Sequence, residues 1–308
     1  MDLIQLRCFV AVAEELHFGK AARRLDMLPS ALGRQIRLLE GTAGMPLFLR
    51  TTRNVALSPD GAALLDEVRA LLGQAEALER QFHVRGRRQA RVLRIGAIDT
   101  AAAGLVPDLL HDFRERQAEG RARVTVQFVE DKTARLLPRL LSGRLDLAFV
   151  RPPERPDKRI EFLKLFHETP VVALPSRHRL ARRSRLTVAA LVDQPLIVPD
   201  RSSRPHSHDL TMKLFERAGL KPTISQVAEE KQTIVNLVAA KLGLAIVPRW
   251  ASRFAVSGVC FVPLVPETAQ NLKLLPLAAA WLRGSRDPLR DEMLAVLRLH
   301  LKRYARKA

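Results

Sequence analysis

The first sixty residues constrain the fold most strongly, because they encode two short helices joined by a tight turn. One helix covers residues 18–25, and the helix after the turn covers residues 30–40. The helix over 30–40 has apolar residues on one face and Arg34, Gln35 and Arg37 on the others. A helix of this size, held by a partner helix, fits the major groove of DNA. The pattern therefore predicts that this part of the chain binds nucleic acid.

The flanking segments complete a winged helix-turn-helix. Apolar residues at helical spacing predict a first helix over residues 2–15. Pro29 suits the first position of the third helix, where its missing N–H costs nothing. Residues 47–50 and 55–57 are predicted to pair as a wing that touches phosphates or the minor groove. The candidate DNA-contacting residues are Ser30, Arg34, Arg37, Arg50 and Arg53.

A long helix is predicted after the wing. Ser58 is a good N-cap, and Pro59 again suits the first helical position. Within residues 59–84 a heptad seam runs through Leu64, Val68, Leu71, Ala75, Leu78 and Phe82. A narrow seam beside charged residues predicts a linker helix that pairs two copies as a homodimer. The alternative is a helix packed inside one domain.

From Arg91 onwards strands alternate with helices, which predicts an α/β fold with doubly wound, parallel sheets in two lobes. The predicted domains are a winged helix-turn-helix DNA-binding domain in 1–58, a linker helix with a hinge in 59–88, and a two-lobed ligand-binding domain in 89–308, which the family resemblance given below implies is an effector-binding domain. Within the last domain, lobe I covers 91–162 and 266–308, and lobe II covers 163–265.

The two predicted lobes enclose a cleft, and open α/β sheets bind ligands beyond the carboxyl ends of their strands. Thr133 and Gln232 stand at predicted helix starts, where free N–H groups favour a carboxylate. Lys132 and Lys231 add positive charge beside them. These residues predict a small anionic ligand. The alternative is that the lysines are solvated rim charges that pair with neighbouring acids.

The positive charge of the chain lies mostly outside the predicted DNA-binding helices. The 308 residues have a net charge of +19. Residues 1–60 contain 8 Lys and Arg against 6 Asp and Glu, whereas residues 91–308 contain 38 against 22. A diffuse positive field concentrates a protein near DNA or draws in a small anion. The alternative is that the arginines only solvate the surface.

Other features predict a cytoplasmic protein that is not an enzyme. No apolar run approaches the roughly 20 residues of a membrane span, and no signal peptide is visible. Cys8 and Cys260 are interpreted as reduced, buried thiols, with a redox-sensing pair as the alternative. We expect no catalysis, metal or cofactor, because the sequence lacks a glycine-rich phosphate loop, metal-ligand spacing and a nucleophile elbow. His206 and His208 are interpreted as polar loop residues.

These motifs resemble the LysR-type transcriptional regulators over essentially the whole chain. The N-terminal likeness is carried by residues 5–14, 21–25, 34–40 and 47–51. The resemblance implies a winged helix-turn-helix, a linker helix and a two-lobed effector domain like a periplasmic binding protein. It also implies a homotetramer that bends promoter or operator DNA and responds to a small co-inducer, with RNA polymerase as a possible further partner.

Residues 145–151 and 238–248 resemble the branch that controls the catabolism of aromatic compounds and muconate. In that branch, the residues that match Thr100, Thr133 and the 202–207 loop contact the ligand, and Arg151 matches an arginine at a second effector site. The resemblance thus implies an aromatic or dicarboxylic acid. The candidate effector-contacting residues are Thr100, Lys132, Thr133, Arg151, Ser202, Ser203, Ser207, Lys231 and Gln232.

The start of the recognition helix departs from the family pattern. Most members have serine, glutamine and a second serine where this chain has Leu28, Pro29 and Gly33. Leu28 has no capping group, and the Pro29 side chain has no hydrogen bond to offer. We hypothesise that this protein reads fewer bases directly and depends more on wing contacts and DNA shape. A constitutive or architectural DNA-binding protein without an effector is the alternative function; an enzyme or solute-binding protein with an appended helical module has no support.

Overall fold

The computed structural model describes residues 1–50, 55–87, 92–118, 124–202, 204–254, 256–265 and 275–308. These residues form two units, Met1–Val84 and Arg85–Ala308, and each unit has its own hydrophobic core. None of the helices in the described ranges is both long enough and apolar enough to cross a membrane.

The first unit is a helix-turn-helix with a two-stranded wing, as predicted. Its elements are α1 (Leu3–Glu15), α2 (Phe18–Arg24), α3 (Pro29–Ala43), β1 (Phe48–Arg50), β2 (Val55–Leu57) and α4 (Pro59–Arg87). Strands β1 and β2 pair in antiparallel orientation. The tip between them, residues 51–54, lies outside the described residues and includes Arg53.

The apolar face of α3 packs into the core of the first unit. Its buried side chains lie among those of α1 and β1, namely Leu32, Ile36 and Leu39 with Phe9 and Phe48. The rings of Phe9 and Phe48 are 5.5 Å apart. Helix α3 ends at Gly44, whose φ of 71° is in the left-handed region that favours glycine. Because the core takes this face, the polar positions of α3 point outwards.

Helix α4 begins where the sequence predicts it and runs three residues beyond the predicted end, to Arg87. The Ser58 hydroxyl fixes its start by accepting the Gly61 N–H at 2.9 Å and donating to the Pro46 carbonyl at 2.8 Å. These two bonds join the helix start to the turn before the wing.

The heptad seam of α4 is divided between two environments. Leu64 and Val68 pack against the core of the first unit. The first turns of the seam therefore match the alternative prediction, a helix packed inside one domain. Leu71 and Leu78, further along, are 43% and 54% exposed. The second part of the seam therefore presents apolar side chains that the described part of this chain does not cover.

Lobe I of the second unit is built on a five-stranded sheet. Its strands are β3 (Val92–Ala97), β4 (Thr125–Glu130), β5 (Leu147–Val150), β6 (Ile160–His167) and β12 (Pro276–Leu282), and they lie side by side in the order β4-β3-β5-β12-β6. Its helices are α5 (Asp99–Ala103), α6 (Leu105–Ala118), α7 (Thr133–Leu141) and α10 (Pro288–Lys307). Strands β3, β4 and β5 are parallel as predicted, whereas β12 runs antiparallel to β5 and β6. The all-parallel prediction fails there because β12 returns from the other lobe in the opposite direction.

Lobe II contains strands from two short sheets. Its elements are β7 (Pro170–Pro175), β8 (Pro195–Pro199), α8 (Pro205–Arg217), β9 (Thr223–Ala228), α9 (Lys231–Ala239), β10 (Ala245–Pro248) and β11 (Val259–Pro263). Strand β7 lies between β10 and β11, antiparallel to both, while β8 and β9 are parallel. A bridge between Leu196 and Leu244 joins the two sheets. Strand β7 was not expected from the sequence.

Two crossovers connect the lobes. Strand β6 extends the lobe I sheet to His167, past the division predicted at 162/163, and the chain then enters β7. The second crossover includes residues 266–274, which are outside the described residues. Trp250, which follows β10, is buried in the lobe I core with its ring 5.6 Å from that of Phe166. The two lobes are thus packed against each other.

Candidate functional site

The outward face of α3 carries the predicted DNA-contacting side chains. Ser30, Arg34 and Arg37 are all exposed on this helix. Arg50 closes β1, and its side chain is outside the described residues, as is all of Arg53. The geometry therefore brings three of the five predicted residues onto one exposed helix.

The start of α3 has the geometry of a cap without the chemistry of one. Leu28 is in the N-cap position with an extended backbone, φ −69° and ψ 141°, but it makes no side-chain capping bond. Its side chain is 72% exposed. A Cβ at Gly33 would lie 3.8 Å from Arg37 Nη1, which is ordinary van der Waals contact. Packing of the first unit therefore does not require either residue.

A cavity of about 260 Å³ lies between the lobes of the second unit. One part of its wall is apolar and is formed by Ile98, Ala134, Leu137, Pro153 and Pro205. The charged lining consists of one carboxylate and four cations, namely Asp99, Lys132, Arg151, Arg204 and Lys231. The cavity lining thus combines apolar surface with four cations, and three of these cations pair with carboxylates outside the lining, those of Glu168, Glu229 and Glu230.

Asp99 and Lys231 form a buried ion pair across the cleft. Lys231 Nζ donates to Asp99 Oδ2 at 2.8 Å and to Oδ1 at 3.1 Å, and Arg204 Nη1 lies 3.3 Å from Oδ2. Burial by itself raises the pKa of Asp99, but Lys231 and Arg204 outweigh it, so this pKa lies below its ordinary value. Burial lowers the pKa of Lys231, and Asp99 opposes that shift.

A second set of ion pairs lies at the exposed rim. Lys132 Nζ is 2.6 Å from Glu229 Oε2 and 3.7 Å from Glu230 Oε1. Arg204 also pairs with Glu230. These residues, with Glu130 and Asp131, line a neighbouring cavity of about 380 Å³. Lys132 therefore has the paired rim geometry that was considered as the alternative for both lysines.

Arg151, at the end of β5, ties both crossovers to lobe I. Its guanidinium pairs with the buried carboxylate of Glu168 in the first crossover. Nη1 donates to the carbonyls of Leu275 and Pro276, at 3.0 and 3.1 Å, where the second crossover enters β12. Nη2 lies 3.4 Å from Thr100 Oγ1, which itself donates to Glu168 at 3.2 Å. This buried cluster fixes Arg151 at one end of the cavity.

The structure brings most of the predicted effector residues to the cavity. Its lining includes Lys132, Thr133, Arg151, Ser202, Ser207 and Lys231. Thr100 is fully buried beside Arg151. Gln232 is exposed on α9 and donates to Asn236 at 3.3 Å, away from this lining. Ser203 is outside the described residues.

Sequence reasoning missed three charged residues that shape the site. Asp99 precedes the predicted residue Thr100, and Arg204 lies in the predicted 202–207 loop, but neither was named as a site residue, and Glu168 was not singled out at all. The only available signal was their place just after strands or before helices. Their ion-pair partners are distant in the sequence; Asp99 and Lys231, for example, are separated by 132 residues.

The two histidines differ in their surroundings. His206 lines the cavity, where burial first and Arg151 second lower its pKa, so it is neutral near pH 7. His208 is hydrogen-bonded through Nδ1 to the Pro199 carbonyl at 2.9 Å. No cluster of three or more metal-ligating side chains occurs in the described part of the chain.

Comparisons with known proteins identify both units. Residues 3–62 match the family model "Bacterial regulatory helix-turn-helix protein, lysR family", and residues 86–302 match "LysR substrate binding domain". The HTH-type transcriptional regulator TtuA of Agrobacterium vitis is 56% identical over 308 residues, covering 100% of both chains.

Solved structures share the fold at lower identity. Full-length CbnR complexed with its target DNA superposes with a TM-score of 0.61 at 23% identity, covering 100% of both chains. The BenM effector binding domain with its effector benzoate gives a TM-score of 0.59 at 23% identity, covering 70% of this chain and 94% of that one. The chain belongs to the LysR family: it is a transcriptional regulator with an N-terminal helix-turn-helix and a C-terminal effector-binding domain.

Proposed function

We propose that this regulator is controlled by a small carboxylic acid bound between the two lobes. The observation that carries the proposal is the cavity of about 260 Å³, whose charged lining has four cations and one carboxylate beside an apolar wall. An anion gains from the cations, and an aromatic or aliphatic body gains from the apolar wall. The benzoate held by the BenM domain of the same fold has this chemistry.

We propose Thr133, Ser202 and Ser207 as hydroxyl partners of the effector, with the cations supplying charge. Thr133 Oγ1 accepts the Arg151 backbone N–H at 3.2 Å, which leaves its own hydroxyl proton for a ligand. Ser207 lies in the first turn of α8, and this turn borders the cavity. Ser203 belongs to the loop that precedes α8. Arg151 is proposed as one of the lining cations, Thr100 as a partner of Arg151 behind the wall, and Gln232 only as a rim contact.

For DNA, we propose that α3 enters the major groove and the wing contacts the backbone. Ser30, Arg34 and Arg37 would make the helix contacts, and Arg50 and Arg53 the wing contacts. A bidentate arginine contact to guanine discriminates by about 1–3 kcal/mol. With Leu28 at the tip of α3, direct hydrogen-bonded reading is expected at few positions. Footprinting on point-mutated operators tests this: penalties of several kcal/mol at many positions under α3 would refute it.

We propose that α4 pairs two copies through the exposed second part of its seam, and that two such dimers form a homotetramer. Leu71 and Leu78 supply the unpaired apolar surface. The proposed domain boundaries are 1–58 for DNA binding, 59–88 for the linker helix and 89–308 for effector binding. We also propose that the protein acts inside the cell and that RNA polymerase is a further partner. Sedimentation analysis of Leu71→Glu with Leu78→Glu should give a smaller assembly; an unchanged one would refute the α4 interface.

Titration calorimetry tests the effector class. We expect at least one member of a panel of aromatic acids and muconates to bind the wild-type protein, and Ser207→Val to weaken that binding at least fivefold. Ser225→Val, on exposed β9, is the matched control and should not alter the affinity. If none of the acids in the panel binds, a constitutive or architectural DNA-binding function without an effector explains the protein better.

A further inference from the structure

The turn before α3 contains an apolar side chain that the core of the first unit does not use. Leu25 and Met27 of this turn pack against that core, and Met27 Sδ lies 3.8 Å from Cys8 Sγ. Leu28 follows them directly but is 72% exposed and does not belong to the core. Its side chain therefore adds little to the packing of the first unit.

Leu28 does not stabilise the end of the helix either. It holds the N-cap position of α3 and makes no side-chain capping bond. A serine or an aspartate at this position would accept one of the free N–H groups and stabilise the helix. An exposed leucine also leaves apolar surface in water, which is unfavourable. A side chain that neither packs nor caps gains free energy only when a partner covers it.

The exposed neighbours of Leu28 indicate which partner covers it. Pro29 and Ser30 are exposed at the start of α3, and Arg34 is exposed one turn after Ser30. In helix-turn-helix proteins, the N-terminal residues of the second helix contact base edges in the major groove. Leu28 lies at this leading end, ahead of the arginine that is proposed to contact a base. It is therefore placed where base edges come within reach.

One of the four bases offers an apolar group in the major groove. Thymine presents its C5-methyl group there, whereas adenine, guanine and cytosine present hydrogen-bond donors and acceptors. An apolar side chain distinguishes thymine by contact with the methyl group, and at the other bases it leaves a donor or an acceptor without a partner. Leu28 has no hydrogen-bonding side-chain atom, so contact with this methyl group is the base reading open to it.

Building on the proposed entry of α3 into the major groove, we propose that Leu28 is a specificity-determining residue: it recognises thymine in the operator through the C5-methyl group. The contact removes the exposed leucine surface and the methyl group from water together, so the same burial supplies affinity and discrimination. The start of α3 then reads a base by apolar contact, beside the hydrogen-bonded contact of Arg34.

Binding of the full chain to its operator, measured by fluorescence anisotropy at one fixed salt concentration, tests this reading. Each thymine is replaced in turn by deoxyuridine, which lacks only the methyl group. At one or two positions we expect wild-type binding to weaken about fourfold, the effect of one buried methyl group. Leu28→Ala should not respond to uracil at these positions. If the wild type has no sensitive thymine, or if Leu28→Ala keeps the same sensitivity, the proposal is overturned.

Leu38→Ala is the matched control. Leu38 is also an exposed leucine of α3, at 47%, but it lies ten residues further along the chain, away from the leading end. This variant should keep the wild-type sensitivity to uracil. Equal loss of sensitivity in Leu38→Ala and Leu28→Ala would contradict a contact that is specific to Leu28.

Adding the methyl group back provides a second measurement. At a sensitive position, a cytosine·guanine pair should bind the wild type more weakly than the thymine·adenine pair. Replacing that cytosine by 5-methylcytosine should recover about fourfold in affinity, because its methyl group occupies the same edge of the major groove. The recovery should be absent in Leu28→Ala. No recovery in the wild type, or equal recovery in both proteins, would also overturn the proposal.

Methylation protection separates this proposal from the one on which it rests. Guanine N7 faces the major groove, so protection of a guanine from dimethyl sulphate that is lost in Arg34→Ala places α3 in that groove. If this protection occurs and no thymine is sensitive to uracil, groove entry stands and thymine reading by Leu28 falls. If the sensitivity depends on Leu28 but the protection is absent, the Leu28 contact stands and the Arg34 contact falls.

Discussion

Replacing Leu28 by aspartate should stabilise the recognition helix. Leu28 already has the extended backbone of an N-cap residue but offers no acceptor to the first N–H groups of α3. An N-cap carboxylate accepts one of these N–H groups and also lies at the positive end of the helix dipole. Leu28→Asp therefore adds a capping bond without any change of backbone.

The magnitude follows from the exposure of the side chain. A cap is worth about 1 kcal/mol, and a charge at a helix N-terminus adds about 0.5 kcal/mol. Leu28 is 72% exposed, so its loss forfeits about a quarter of the roughly 2 kcal/mol of full leucine burial, which is about 0.5 kcal/mol. The net gain of about 1 kcal/mol slows local opening about fivefold.

Hydrogen exchange followed by mass spectrometry on the full chain measures this change at the α3 amides. Leu38→Asp is the matched control, because Leu38 is 47% exposed on the same helix and lies away from its N-terminus. The control should not slow exchange. Faster or unchanged exchange in Leu28→Asp, or equal slowing in both variants, would refute the capping argument.

Three further changes have defined outcomes. Gly33→Ala should stabilise α3 by about 0.5–1 kcal/mol in the same exchange experiment, because the new Cβ meets only ordinary contacts; a loss would contradict this. Glu168→Ala should destabilise the second unit by about 3–5 kcal/mol in urea unfolding, because Arg151 stays buried without its carboxylate, and Glu168→Gln should cost less. Because the Asp99 pKa is lowered, the difference in free energy of unfolding between the wild type and Asp99→Asn should be constant above about pH 4 and should shrink below it. Urea denaturation at several pH values measures this difference. A difference that increases at low pH would contradict the ion pair.

Local signals in the sequence predict most of the fold. Pro29 and Gly44 mark the ends of α3, and Ser58 marks the start of α4, because caps and turns depend on neighbouring residues. Strand β7 was missed because it is a short apolar run buried among other strands, with no alternation to identify it. The direction of β12 depends on where the chain re-enters lobe I, which no local pattern encodes.

The candidate site is predicted less completely, for the same reason. Segments at strand ends could be placed at the cleft by topology, and Thr133 and Ser207 do line it. The pairing of Asp99 with Lys231, and that of Arg151 with Glu168, depends on lobe packing across long sequence separations. Formal charge gave Lys132 and Lys231 equal weight, whereas the fold makes one a rim residue and the other a buried partner.

The most direct test of effector-controlled DNA binding is a DNase I footprint on the promoter DNA that the protein selects from its own genome. It is recorded with and without the acid that binds best in calorimetry. We predict that the acid changes the length of the protected region or the hypersensitive bands that mark a bend. An identical footprint at saturating acid would contradict effector control and favour a constitutive DNA-binding protein.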